Sequence, residues 1–209
     1  MYIYGAQMQA RPGKGAAAAA KVAEIRDVVK AETGQIGWAW VAVAGTPVGG
    51  YLLSTRVEGM AALIELQMKL AQSEAYKSAA AGGADLWTGP AETNLGQVVA
   101  TTGEIGDPKP VLSVTRATIA GGHMAEALAH AGKVLEHVTK VTGLSGMLAT
   151  YVAGNPFEVT WIFGVESGAA ADEATRALQA DADYVALMDQ GGGLYVDGTL
   201  QRAMLMQLP

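Results

Sequence analysis

Residues 37–55 read GWAWVAVAGTPVGGYLLST, and residues 146–164 read GMLATYVAGNPFEVTWIFG. Three landmarks recur 109 positions apart (146 − 37 = 109): Gly37 and Gly146, Gly45 and Gly154, Pro47 and Pro156. Each stretch is an apolar run, then a turn rich in Gly and Pro, then a second apolar run. This pattern is typical of a β-hairpin, in which Gly and Pro supply the backbone angles of the turn.

The remainder of the chain repeats as well. Thr-Gly pairs, Thr33-Gly34 and Thr142-Gly143, end an alanine-rich amphipathic helix in each half. Tyr76 matches Tyr184 at an offset of 108 (184 − 76 = 108). The segment 103–110, GEIGDPKP, has the composition of a linker. We therefore predict an internal duplication, with one repeat at residues 1–102 and the other at residues 111–209.

Each repeat reads β-α-β-β-α-β, the order of a ferredoxin-like α+β domain. The second helix of each half is expected as one segment, near residues 58–78 and 172–188, and residues 85–87 as a short extended piece. Helices cover only one face of such a sheet, and an apolar second face needs a partner. The predicted fold is therefore two tandem ferredoxin-like repeats whose sheets pack as a pseudo-dimeric α+β barrel.

Composition limits the partners. The chain has 209 residues, of which 50% are hydrophobic and 16% charged, with a net charge of −6 and no cysteine. Without a basic block, neither nucleic acid nor an anionic membrane is an expected partner. The absence of cysteine excludes disulfides and thiolate chemistry. We expect a cytoplasmic protein, and the low charge content favours a homo-oligomer.

The chain resembles the dimeric α+β barrel superfamily, which includes antibiotic-biosynthesis monooxygenases, muconolactone isomerase-like proteins, the NIPSNAP group and chlorite dismutases. Three features carry the resemblance: RPGK at residues 11–14, LQADADY at 178–184 and GLYVDG at 193–198. Relatives usually pair two chains, whereas this one carries both halves. The resemblance implies a scaffold that hosts unrelated chemistries, including cofactor-independent oxygenation and isomerisation. Relatives that bind haem have a histidine on the second helix, and that region has none here.

The three histidines, His123, His130 and His137, recur every seven residues on one predicted helix. Successive members are about 10.5 Å apart along the axis, whereas ligands of one metal ion need a spacing of three or four residues. The spacing therefore predicts no single-metal site within this helix, and the resemblance to cofactor-independent monooxygenases and isomerases implies that no metal and no cofactor is needed. A stripe at the edge of the apolar face is the favoured interpretation, with His123 retained as a weak candidate for a proton carrier.

Arg116 lies in a predicted strand, where alternation places it on the same face as Leu112 and Val114. An arginine on an apolar face needs a negative partner, either an anionic ligand or a carboxylate of the protein. The corresponding residue of the first half is Gln7 (116 − 7 = 109). Arg116 is thus a candidate for ligand recognition, with an internal salt bridge as the alternative.

Aromatic side chains in the predicted strands complete the candidate site. Trp38, Trp40, Trp161 and Tyr195 could hold a flat organic molecule, or they could fill the core. Tyr195 is also a weak catalytic candidate.

Two functions follow from the sequence. The first is binding and conversion of a small apolar, aromatic or polyketide-like molecule by a cofactor-independent monooxygenase- or isomerase-like enzyme. The alternative is a non-catalytic binding or self-assembling protein with a filled barrel.

Overall fold

The computed structural model describes residues 1–209, and each half has the predicted order of elements except that its second helix is divided into two. The elements of the first half are β1 (Tyr2–Gln9), α1 (Gly15–Thr33), β2 (Gly37–Ala44), β3 (Gly50–Val57), α2 (Met60–Gln72), α3 (Glu74–Ala81) and β4 (Glu92–Thr102). Those of the second half are β5 (Val111–Thr118), α4 (Met124–Thr142), β6 (Gly146–Ala153), β7 (Glu158–Val165), α5 (Gly168–Ala180), α6 (Ala182–Gln190) and β8 (Gln201–Gln207).

Both predicted hairpins are present. Antiparallel pairing joins β2 to β3, with Trp40 opposite Leu52, and β6 to β7, with Leu148 opposite Trp161. Gly45 in the first turn has a φ of 80°, a conformation that side chains rarely adopt. The two hairpins, predicted from one repeated sequence pattern, are therefore confirmed.

Hydrogen bonding joins all eight strands in one closed order, β1-β3-β2-β8-β5-β7-β6-β4, which is an antiparallel barrel. The six α-helices fall in two β-α-β-β-α-α-β series, in which two short helices take the place of the second helix of the ferredoxin-like plan. This is the predicted tandem ferredoxin-like α+β barrel. No helix has both the length and the hydropathy of a membrane span.

The second helix of each half is broken, contrary to the single helices expected from the sequence. Ser73 separates α2 from α3, and Asp181 separates α5 from α6, again 108 positions apart (181 − 73 = 108). Both residues have extended backbones, and both side chains accept a hydrogen bond from the backbone N–H three residues later. A side-chain cap of this kind starts a new helix, and the apolar periodicity that continues across the break conceals it from sequence analysis.

The piece expected to be extended at residues 85–87 is also different. Ala84–Leu86 form a 3₁₀ turn, and only Trp87 bridges to Ala10 of the sheet.

The chain divides into two compact units, residues 1–96 with 206–209 and residues 97–205. In the first unit, Ala18 and Val22 of α1 pack on Ala39 and Tyr51. In the second, Ala127 and Leu135 of α4 pack on a larger cluster with Val159 and Trp161. The repeat limits of 1–102 and 111–209, which concern sequence duplication, stay a prediction.

Candidate functional site

The second unit has a polar cluster on one face of the sheet formed by β5, β7 and β6. Ala117 of β5, Val159 of β7 and Leu148 of β6 point toward α4 and belong to its core. Because side chains alternate along a strand, their neighbours point to the opposite face, which we call the distal face. The polar residues of the distal face include Arg116, Tyr151, Glu158 and Thr160.

Strand register brings these four residues together. Arg116 of β5 lies opposite Thr160 of β7, and Glu158 is two residues from Thr160 on the same face. The Tyr151 hydroxyl is 3.0 Å from Oγ1 of Thr160, and the Thr160 residue is only 2% exposed. Tyr151 also hydrogen-bonds to Glu158. A cation, a carboxylate and two hydroxyl groups therefore share one partly buried patch.

The enclosure of the patch changes its acid–base properties. Burial raises the pKa of Glu158 above 4.5, although the charge of Arg116 and the hydrogen bond from Tyr151 act in the opposite direction. Burial likewise raises the pKa of the Tyr151 phenol above 10.0, against the hydrogen bond with Thr160. Glu158 therefore accepts a proton more readily than an exposed glutamate does, and Tyr151 stays protonated at neutral pH.

Arg116 supplies the positive charge of the patch. It is half-buried and takes part in none of the seven ion pairs of the chain. Glu158 is an electrostatic partner of opposite sign, in a diagonal position across the strands. A guanidinium in this setting can bind a carboxylate, a phenolate or an enolate.

Trp161 and Tyr195, both predicted to contact a substrate, lie on the other side of the sheet from Arg116. The Trp161 indole Nε1 donates to the carbonyl of Ala131 in α4 at 2.9 Å. Its ring meets the Tyr195 ring edge-on, with centroids 6.0 Å apart. Both side chains therefore pack in the core beneath α4.

Tyr195 has a second partner in that core. Its hydroxyl is 3.0 Å from Nδ1 of His130, and burial raises the pKa of Tyr195 to about 12. His130 is 7% exposed, and its Nε2 contacts the carbonyl of Leu187 at 2.8 Å. This pair ties α4 to the segments that follow α5.

The other two histidines have separate surroundings. His123, the weak candidate for a proton carrier, is the exposed residue before α4 and contacts Glu126 at 2.9 Å. His137 Nε2 is 2.9 Å from Oδ1 of Asp181, at an open groove of about 410 Å³ between α4 and α6. No group of His, Asp or Glu residues has the arrangement of a metal site.

Trp38 and Trp40 belong to the first unit. Trp40 is 1% exposed, and its indole donates to Oγ of Ser54 at 2.9 Å. The Arg56 guanidinium lies over the Trp38 ring, 5.2 Å from its centroid. Both tryptophans point away from α1, because Ala39 between them belongs to the core of that helix.

Sequence reasoning found Arg116 but missed Tyr151 and Glu158. Both are in the second hairpin. Alternation along its strands places their side chains on the same face as Thr160, opposite the core residues. A glutamate at the start of an apolar hairpin strand, facing the same way as the arginine of the neighbouring strand, was the available signal.

No protein-family model and no curated protein matches the chain. Among solved structures, a Fusobacterium nucleatum protein provisionally assigned as a monooxygenase aligns with a TM-score of 0.73 and 10% identity, covering 100% of this chain and 92% of that chain. An anthrone oxidase-like protein aligns with a TM-score of 0.68 and 17% identity, covering 100% and 91%. A Lactobacillus acidophilus protein, also provisionally assigned as a monooxygenase, gives a TM-score of 0.63 and 12% identity, covering 100% and 94%. The chain therefore shares the fold of these proteins, a tandem ferredoxin-like α+β barrel.

Proposed function

We propose that the distal face of the second unit binds a small aromatic or polyketide-like molecule with an acidic O–H or C–H group, and that the protein converts it without a cofactor. The observation that carries this proposal is the meeting of Arg116, Glu158 and Tyr151 on one partly buried face. Monooxygenase-like proteins of the same fold support the reaction class.

In this proposal Glu158 is the proton acceptor. A general base works best when its pKa approaches the working pH, and burial raises the pKa of Glu158 in that direction. The proton passes from the acidic group of the ligand to the Glu158 carboxylate. The electron pair stays on the ligand, whose anion lies beside Arg116.

The deprotonated ligand then has two outcomes. Return of the proton to another carbon gives an isomer. Reaction with molecular oxygen gives a ketone, with the balance R₂CH₂ + O₂ → R₂C=O + H₂O, in which the carbon supplies the four electrons that oxygen takes up. Tyr151, held by Thr160, donates a hydrogen bond to Glu158 and so positions the carboxylate.

The experiment compares anthrone, a tricyclic aromatic ketone with an acidic CH₂ group, with anthracene, which has none. Binding is measured by titration and conversion by absorbance under air. We expect the wild-type protein to bind anthrone more tightly than anthracene and to oxidise it. Glu158→Gln should lower kcat by about 10²–10⁴-fold, the usual contribution of a general base.

Matched variants assign the roles. Glu166→Gln changes an exposed glutamate just beyond β7 and should leave the rate unchanged. Arg116→Gln introduces the amide that the first half has at Gln7, and should weaken binding of the acidic ligand. His123→Gln should have no effect. A rate loss in His123→Gln with normal turnover in Glu158→Gln would contradict the assignment, as would failure of the wild-type protein to bind either probe.

A further inference from the structure

Helix α2 exposes an apolar stripe to solvent. Met60, Ile64 and Met68 are spaced four residues apart and are each between 44% and 58% exposed. The inner side of the helix is also apolar, and its residues Leu63 and Leu66 are buried. The inner side packs on Val57 and Leu95 as the fold requires, whereas nothing in the chain covers the outer one.

The internal duplication provides a control for this stripe. Helix α5 has the same 13-residue length at an offset of 108 (168 − 60 = 108). Its residues at the three matching positions are Gly168, Asp172 and Arg176. The same fold therefore accepts charged residues at two of these positions and glycine at the third, and the stripe on α2 is not needed to hold the helix on its sheet.

Two charges lie beside the stripe on the same side of α2. Glu65 and Lys69 are about 100° and 140° around the helix from Ile64. Their four-residue spacing would allow an ion pair within the helix, yet neither side chain is in any ion pair of the chain. Both are exposed.

We propose that the outer face of α2 is a self-association surface, on which two copies of the chain pack antiparallel about a twofold axis. Ile64 lies against the partner's Met68, and the partner's Ile64 lies against Met68. A twofold axis across two antiparallel helices brings the same edge of each helix together. Glu65 then lies within two residues, or about 3 Å along the axis, of the partner's Lys69.

The pairing of Glu65 with the partner's Lys69 favours a second copy of the chain as the molecule that covers the stripe. In an antiparallel pair the acidic residue of each helix faces the basic residue of the other, so the same edge is complementary to itself. An anionic lipid surface fits poorly, because the chain has a net charge of −6 and this face has one lysine. The inference does not depend on the proposed catalytic function.

The size of the stripe sets the expected strength of the association. A 13-residue helix is about 20 Å long, and one such face provides only part of the roughly 800 Å² per partner of a standard interface. We therefore expect a reversible dimer that dissociates on dilution.

Sedimentation velocity of the full chain over about a hundredfold range of concentration tests the proposal. The double variant Ile64→Asp with Met68→Arg installs on α2 the residues that α5 has at those positions. We expect wild type to shift from monomer to dimer with concentration and the double variant to remain monomeric, with unchanged circular dichroism and Tm. The control, Asp172→Asn with Arg176→Gln on α5, should dimerise like wild type.

A charge exchange tests the antiparallel arrangement. Glu65→Lys alone should raise the dimer Kd several-fold, and adding Lys69→Glu should restore it. A wild-type monomer at the highest concentration, growth beyond a dimer, or a double variant that dimerises like wild type would overturn the self-association surface. An unchanged Kd in Glu65→Lys would overturn the proposed packing.

Discussion

Nε2 of His137, in the middle of α4, lies 2.9 Å from Oδ1 of Asp181, the residue that separates α5 from α6. The same oxygen accepts a hydrogen bond from the backbone N–H of Tyr184 at 2.6 Å. The rings of His137 and Tyr184 are stacked, with centroids 6.4 Å apart. One carboxylate thus starts α6 and holds it against α4.

We expect Asp181 to make stability sensitive to acid. The contact with His137, and next the Tyr184 N–H, lower the pKa of Asp181 below 3.8. A folded-state pKa below the unfolded value means that the carboxylate stabilises the fold above about pH 4, and that this contribution disappears as the pH falls through the folded value. Asp181→Asn, which can still cap the helix, should therefore flatten the decline of the free energy of unfolding between pH 6 and pH 2.

Urea unfolding at a series of pH values provides the measurement. Asp183→Asn, two residues further along, is the matched control. It should leave the dependence of the free energy of unfolding on pH unchanged. Equal slopes in wild type and Asp181→Asn would contradict the prediction.

Ser73 is expected to stabilise the break between α2 and α3. Its Oγ accepts from the backbone N–H of Tyr76 at 3.0 Å, which is an N-cap. Ser73→Ala should lower the free energy of unfolding by about 0.5–2 kcal/mol, the usual range for loss of such a cap. Chemical denaturation measures the change, with the exposed Ser78→Ala in the interior of α3 as the control. A loss in Ser78→Ala as large as that in Ser73→Ala would count against the capping role.

Two glycine-to-alanine substitutions should change the free energy of unfolding in opposite directions. A Cβ at Gly191 would be 2.9 Å from Cε1 of His130, a ring that two hydrogen bonds hold in place. Gly191→Ala should therefore destabilise the protein, by about 1–3 kcal/mol for an overpacked core. Gly132, inside α4, has no atom within 4 Å of such a Cβ, so Gly132→Ala should stabilise by about 0.5–1 kcal/mol.

Thermal and urea unfolding of both glycine variants measure the two changes in the free energy of unfolding. A Gly191→Ala protein as stable as wild type would show that the His130 ring moves aside at little cost.

Tyr195 should remain protonated in strongly alkaline solution. Burial raises its pKa to about 12, compared with 10.0 for an exposed tyrosine. A raised folded-state pKa contributes stability that is fully present below about pH 10 and is lost as the pH rises toward 12. The absorbance of ionised tyrosine at alkaline pH, measured in wild type and Tyr195→Phe, isolates this group. If the absorbance difference between wild type and Tyr195→Phe titrates near pH 10, the burial of the phenol is contradicted.

Much of the fold could be predicted from the chain alone, because it depends on local and repeated patterns. The turns at Gly45 and Gly154, the helix ends at Gly34 and Gly143, and the order of elements all follow from backbone preferences and from the recurrence of one plan. The breaks at Ser73 and Asp181 were missed, since the apolar periodicity runs across them and a polar residue inside a helical pattern has no unique meaning.

The sequence by itself determined the tandem ferredoxin-like barrel and the presence of an arginine, Arg116, on an apolar strand. Only the tertiary structure decided which residues that arginine meets. Strand register joins Arg116 of β5 to Thr160 and Glu158 of β7, and it places Trp161 on the other side of the sheet, against α4. The physical reason is that alternation fixes the face of a side chain within its own strand, whereas the neighbours on that face come from strands distant in sequence, whose register depends on the whole barrel.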